Sequence, residues 1–162
     1  MRLLNNSDDE QDTKLADYLD YVSDVDRDRW RRPFVTEGLS ELAEGLSVKN
    51  TLPNVSGVVF RRAALAQVLT SHFEEISTYR VAGDWCVYMH LATMGRVAFD
   101  PRPLNYHRRH GQSVTISRFG RQEWEEIQRM QKRVSEIVDV PAAFTQKAKD
   151  YLAALTQRMD DD

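Results

Sequence analysis

The stretch VAGDWCVYMHLATMGRVAFDPRPLNYHRRHGQSVT, Val81 to Thr115, decides the reading of the chain, because an acid, a helical run, a strand and a basic cluster follow one another within it. Asp84 follows Gly83 and opens an amphipathic run that Gly95 closes; Arg96 to Phe99 then reads as extended, and Pro101 and Pro103 enforce a rigid turn. A second extended segment carries Leu104 to His110. Side chains alternate across a strand, so Leu104, Tyr106, Arg108 and His110 share one face and Asn105, His107 and Arg109 the other. A guanidinium beside an imidazole at a strand end suits an anionic ligand, since both donate charge-assisted hydrogen bonds to phosphate oxygens. The acid and the basic cluster are expected to face one cleft.

Outward from this unit, composition sets limits. The chain has 162 residues, 41% hydrophobic and 29% charged, which fits one globular domain or part of one, able to hold a core and without a membrane span. A net charge of -3 speaks against nucleic acid as the partner of the arginine cluster. Cys86 is the only cysteine, which excludes an internal disulfide and a cysteine-based zinc cluster and points to a cytoplasmic setting, with at most peripheral membrane association.

Upstream, residues 1–12 read as a flexible acidic lead-in and Thr13 to Val22 as a helix capped by Thr13. Asp24 and Asp26 form a D-x-D, but no buried apolar strand precedes them, so they read as a solvated run. Trp30 and Phe34 anchor a loop. Thr36 is expected to cap a helix with Leu39, Leu42, Ala43 and Leu46 as its stripe. In NTLPNVSGVVFRR, Pro53 bars a helix and Val55 to Phe60 favour a strand; Ala63 to Leu69 is helical, and Thr70 to Arg80 reads as an irregular loop. Downstream, Trp124, Ile127, Met130, Val134 and Ile137 make one helix face, Asp139 and Pro141 mark a break, and Phe144, Ala148, Tyr151, Leu152, Leu155 and Met159 line a final helix. The division is thus 1–12, a central region 13–115, a helical hairpin 116–159 packed on the sheet or on a second subunit, and a tail 160–162.

Three pieces of the chain, AGDW (Ala82 to Trp85), the apolar helix with the R-V-A-F strand, and PLNYHRRHGQSVT (Pro103 to Thr115), resemble family 2 glycosyltransferases, inverting bacterial enzymes of the GT-A fold. The resemblance extends upstream through Arg29-Trp30 and Lys49 to Arg62, in the order those enzymes have on their acceptor side. It implies an α+β chain corresponding to the C-terminal part of a GT-A fold, with few short strands packed by helices and a closing hairpin. It further implies Asp84 as the base that deprotonates the acceptor hydroxyl, and Arg108, Arg109 and His110 at the diphosphate. Asn50, Asn54 and Ser56 become candidate polar contacts to sugar or acceptor, and Trp85 an aromatic wall.

Each residue also has an ordinary role: Asp84 as a helix N-cap, Trp85 as core, the asparagines as partners of turn backbone, and the basic residues as a solvated strand end. A zinc set of Cys86 and His90 with His107 and His110 is disfavoured, since the last two are three apart on a strand and point to opposite faces. The Rossmann-like half with its metal-binding D-x-D is expected to be missing. The chain is therefore expected to be inactive alone and to hold no cofactor by itself, whereas the intact enzyme would use Mg or Mn, a nucleotide-sugar and a saccharide acceptor. An exposed apolar face and homodimerisation are expected where the other half would dock. The competing class is a non-catalytic module that binds a saccharide or a protein.

Overall fold

The computed structural model describes residues 18–52, 54–102, 104 and 120–159, together with the backbone of residues 2–4, 15–17, 106–108 and 160–161. Among the described residues, two sheets of two strands each and seven α-helices make an α+β fold dominated by helix. β1 (Arg2–Leu4) runs parallel to β4 (Tyr106–Arg108), so residues 2–4 are a strand where a flexible lead-in was expected. β2 (Phe34–Glu37) pairs antiparallel with β3 (Arg96–Phe99), and Phe34 and Phe99 stack across it with ring centroids 5.4 Å apart.

The helices are α1 (Leu15–Val22), α2 (Gly38–Glu41), α3 (Arg62–Ser71), α4 (Phe73–Ser77), α5 (Gly83–Ala92), α6 (Arg121–Ser135) and α7 (Ala142–Asp161). α1, α3, α5, α6, α7 and β3 fall where apolar spacing places them. Four expectations are corrected. Thr36 belongs to β2 rather than capping a helix, and α2 begins at Gly38 because the chain must pass close to α5: a Cβ at Gly38 would collide with the carbonyl oxygens of Ala92 and Gly95. The anticipated strand at Val55 to Phe60 is a 3-10 turn, Val55–Gly57, followed by an extended piece whose Val59 is 98% exposed. The anticipated loop contains α4. Lastly, the stripe of the second helix is rotated: α2 continues into a π-helical turn, Leu42–Leu46, and buries Glu41 beside Leu42 and Leu46 while Leu39 is exposed.

α5 is the centre of the molecule. It is not amphipathic, as expected, but buried on nearly every side, and it touches α2, α3, α4 and α6. Trp85, Cys86, Met89 and Ala92 pack with Leu42 and Leu46 and with Met130 and Val134 of α6, so the C-terminal hairpin shares the main core instead of lying on a sheet. A smaller core of Val22, Val25, Trp30 and Val48 joins α1 to Phe144 and Tyr151 of α7. α7 runs on to Asp161 where a tail from 160 was expected.

Buried charges hold these layers in register. Glu41 receives Arg29 Nη2 and, at 3.0 Å, the Thr51 hydroxyl. Lys49 is buried, donates to the Tyr21 carbonyl at 2.6 Å, and pairs with Asp24 at 2.7 Å. On α6, buried Glu126 accepts the backbone N–H groups of Arg80 and Val81 at 2.8 Å each and of Ala82 at 3.1 Å. Those groups precede the first turn of α5, whose N-cap, Ala82, has no side chain able to accept a bond.

Removing the Glu126 acceptor leaves three amides of a packed loop unsatisfied. Glu126→Ala is expected to lower unfolding stability by about 3 kcal/mol, with Glu126→Gln intermediate because one acceptor oxygen survives. Urea denaturation of the two variants against the parent measures it. Arg29→Met, which strands the Glu41 carboxylate without its cation, is expected to cost about 3–5 kcal/mol in the same experiment.

Candidate functional site

Asp84 is the second residue of α5, half-buried and just inside the helix rather than at its N-cap. Its Oδ1 accepts the backbone N–H of Trp85 at 2.7 Å and the Asn50 amide at 3.3 Å. Burial raises the proton affinity of this carboxyl above the usual aspartate value, outweighing the two hydrogen bonds that favour the charged form. Asn50 is itself clamped, since its Oδ1 accepts the Leu52 N–H at 3.1 Å while the Tyr21 hydroxyl donates to its carbonyl at 3.0 Å.

One turn further along α5, on the same face as Asp84, stands Tyr88. It is 4% exposed, and among the described residues its hydroxyl is the one buried side-chain polar atom with no hydrogen-bond partner. Burial, and then the neighbouring Asp84 charge, push its proton affinity well above that of a free phenol. Phe60 stacks on its ring at 6.2 Å between centroids. Both rings line a groove of about 1180 Å³ between β2, β3 and the extended piece after the 3-10 turn. Arg61 and Arg96 also line it, and neither has an ion-pair partner among the described residues. Asp84 does not line the groove itself; it lies one turn of helix from it, behind Tyr88.

The other candidates divide. Asn54 lines the groove, and its Oδ1 accepts the Ser56 N–H at 3.1 Å and the Ser56 hydroxyl at 2.6 Å, so both residues also serve the turn. Trp85 is corrected: at 2% exposure it fills the core and donates from Nε1 to the Leu46 carbonyl at 3.1 Å, leaving no face for a sugar. Arg109 and His110 lie outside the described residues, and only the backbone of Arg108 is described, in β4. The D-x-D pair is already engaged. Asp24 holds Lys49, and Asp26 accepts the N–H groups of Asp28 at 2.8 Å and Arg29 at 3.0 Å, so the two do not fit a shared metal ion.

No family model matches this chain, nor does any curated protein or solved structure. Tyr88, Arg61 and Arg96 were passed over in the sequence; the i, i+4 relation of Asp84 to Tyr88 on an already recognised helix was the signal available for the first.

The raised affinity of Asp84 for its proton has a definite sign. Folding favours the neutral carboxyl, so the stabilisation that goes with protonation is complete below the unfolded value of 3.8 and is lost as pH rises through the folded value. At neutral pH the parent carries the burial penalty of an ionised group. Asp84→Asn keeps an acceptor oxygen for Asn50 and Trp85 and removes that penalty. It is expected to be more stable than the parent at pH 7, with the difference closing on acidification; paired thermal melts across that range check it.

Proposed function

We propose that this chain forms the acceptor-side part of an inverting glycosyltransferase of the GT-A type, with Asp84 as general base and the groove beside Tyr88 as the seat of the saccharide. The observation that carries the reading is the placement of Asp84. A carboxylate at a helix start, oriented by Asn50 and made more basic by burial, has the properties that deprotonation of a sugar hydroxyl requires. One turn away, Tyr88 and the stacked Phe60 line the groove and provide an apolar wall of the kind a pyranose ring uses.

The leaving group of such a transfer is a nucleoside diphosphate, whose growing charge needs fixed cations. Arg61 and Arg96 border the groove for that purpose, and Arg108, Arg109 and His110 are assigned the same task by the sequence resemblance. The reading assigns the nucleotide and its Mg or Mn ion to a Rossmann-like half that the described residues do not include. Asn54, on the groove wall, belongs to the acceptor side.

Saccharide titrations followed by amide resonances of the isotopically labelled chain test the assignment, alongside label transfer from nucleotide sugars in the presence of Mn2+. The expected outcome is movement of Asn50, Asp84 and Tyr88 signals, with any transfer falling at least about 100-fold in Asp84→Asn while the fold is retained. Unmoved signals at the start of α5 with every sugar, and transfer that survives Asp84→Asn, would sink the reading.

One observation favours a second reading, a protein-interaction module. Val35, Val59 and Leu104 are 63%, 98% and 73% exposed along the same groove, more apolar surface than a free face ordinarily carries. Self-association that is abolished by Val59→Lys, without saccharide binding, would select it.

A further inference from the structure

On the side of α5 opposite Asp84 and Tyr88, three side chains from three helical segments converge. His72 closes α3, Glu75 sits on α4 and His90 on α5, and one ligand atom from each lies within 4.8 Å of the other two. His90 Nε2 is 2.9 Å from Glu75 Oε2, and His72 Nδ1 is 4.0 Å from the same oxygen. The two imidazoles stack 3.6 Å apart and within 12° of parallel. From α6, Arg133 Nε donates to the other carboxylate oxygen, Oε1, at 2.7 Å.

We propose that His72, Glu75 and His90 form a binding site for a first-row divalent transition-metal ion of the zinc class. Two imidazoles and one carboxylate are a donor set that such ions take, with water completing the shell; hard ions such as Mg2+ and Ca2+ require mostly oxygen. Zinc bonds of 2.0–2.1 Å arranged tetrahedrally place neighbouring donor atoms about 3.3 Å apart. The observed separations of 2.9 and 4.0 Å lie on either side of that value.

The surroundings fit the same chemistry. Arg133 occupies Oε1 and so presents Oε2 alone to the ion, the outer-shell hydrogen bond that fixes a ligating carboxylate. An ion between His90 Nε2 and Glu75 Oε2 replaces the hydrogen bond that joins them, and the one proton of the neutral ring then sits on Nδ1. Cys86 shares this face of α5, but its sulfur is not among the donor atoms that converge there.

Parallel rings at stacking distance cannot both aim an in-plane lone pair at one ion. His72 is the part that moves: its side chain is 39% exposed at a helix end, whereas that of His90 is 8% exposed and Glu75 is tied to α6. Binding therefore opens the stack and ties the α3–α4 corner to α5. This site is independent of the sugar-transfer reading, and it runs against the sequence expectation that the chain by itself holds no metal.

The test uses the full chain, freed of metal by chelation and titrated with Zn2+ alone. Expected are uptake of one ion per chain, a melting temperature that rises with Zn2+ concentration, and movement of the His72 and His90 ring-proton signals, all reversed by chelator. His72→Ala, at a half-exposed position, is expected to fold and to lose these effects, while a His107→Ala, His110→Ala double variant retains them. No uptake by the parent, uptake undiminished in His72→Ala, or uptake lost in the double variant would each overturn the proposal.

Discussion

One carboxylate sets the geometry of the centre of this molecule. Glu126 reaches from α6 to three successive backbone N–H groups, those of Arg80, Val81 and Ala82, immediately before α5 begins. The start of a helix leaves its first amides unpaired, and the usual remedy is a capping side chain beside them in sequence. Here the N-cap is alanine, and the loop that leads into it is held by an anion supplied forty-odd positions later in the chain. The position of Asp84, two residues past Ala82, is thus a tertiary property: the C-terminal hairpin decides where the carboxyl group sits.

α5 divides the chemistry of the chain between two faces. Tyr88 lines the groove with Asp84 one turn behind it, the acid made more basic by burial and the tyrosine left with a buried hydroxyl that has no partner among the described residues. Cys86 and His90 point the other way, toward α4 and Arg133. A helix buried on nearly every side can support this only because its polar groups are met by partners from other elements. Asn50 answers Asp84, Glu75 answers His90, and the Leu46 carbonyl answers the Trp85 indole. Buried polar groups of this sort specify one arrangement of helices, since any slip would leave several of them unsatisfied.

Helices that bury a stripe declare themselves in sequence. The spacing of Met130 and Val134 in α6 and of Ala148 and Leu155 in α7 matches the residues found inside. Elements whose place depends on distant partners do not. Glu41 looks like a solvent-facing acid until Arg29 and Thr51 are brought beside it, and that pairing turns the buried face of α2 away from Leu39. Val55 to Phe60 has the composition of a strand but has no strand to pair with among the described residues, so it forms a turn and an extended wall. Likewise the sequence left Trp85 open between a sugar wall and the core, and its 2% exposure selects the core.

By itself the sequence determined most helix positions and the β3 strand, because these follow from local periodicity and from breakers, while the α+β class and the choice of Asp84 came from the motif resemblance. Only the tertiary structure decided that Asn50 meets Asp84, that Tyr88 opens on a groove, and that His90 finds its partners in His72 and Glu75 rather than in Cys86. The reason is physical. Periodicity reports which face of an element is apolar, but the partner of a buried polar atom is chosen by how whole elements pack, and elements far apart in the chain leave no trace of that choice in either segment alone.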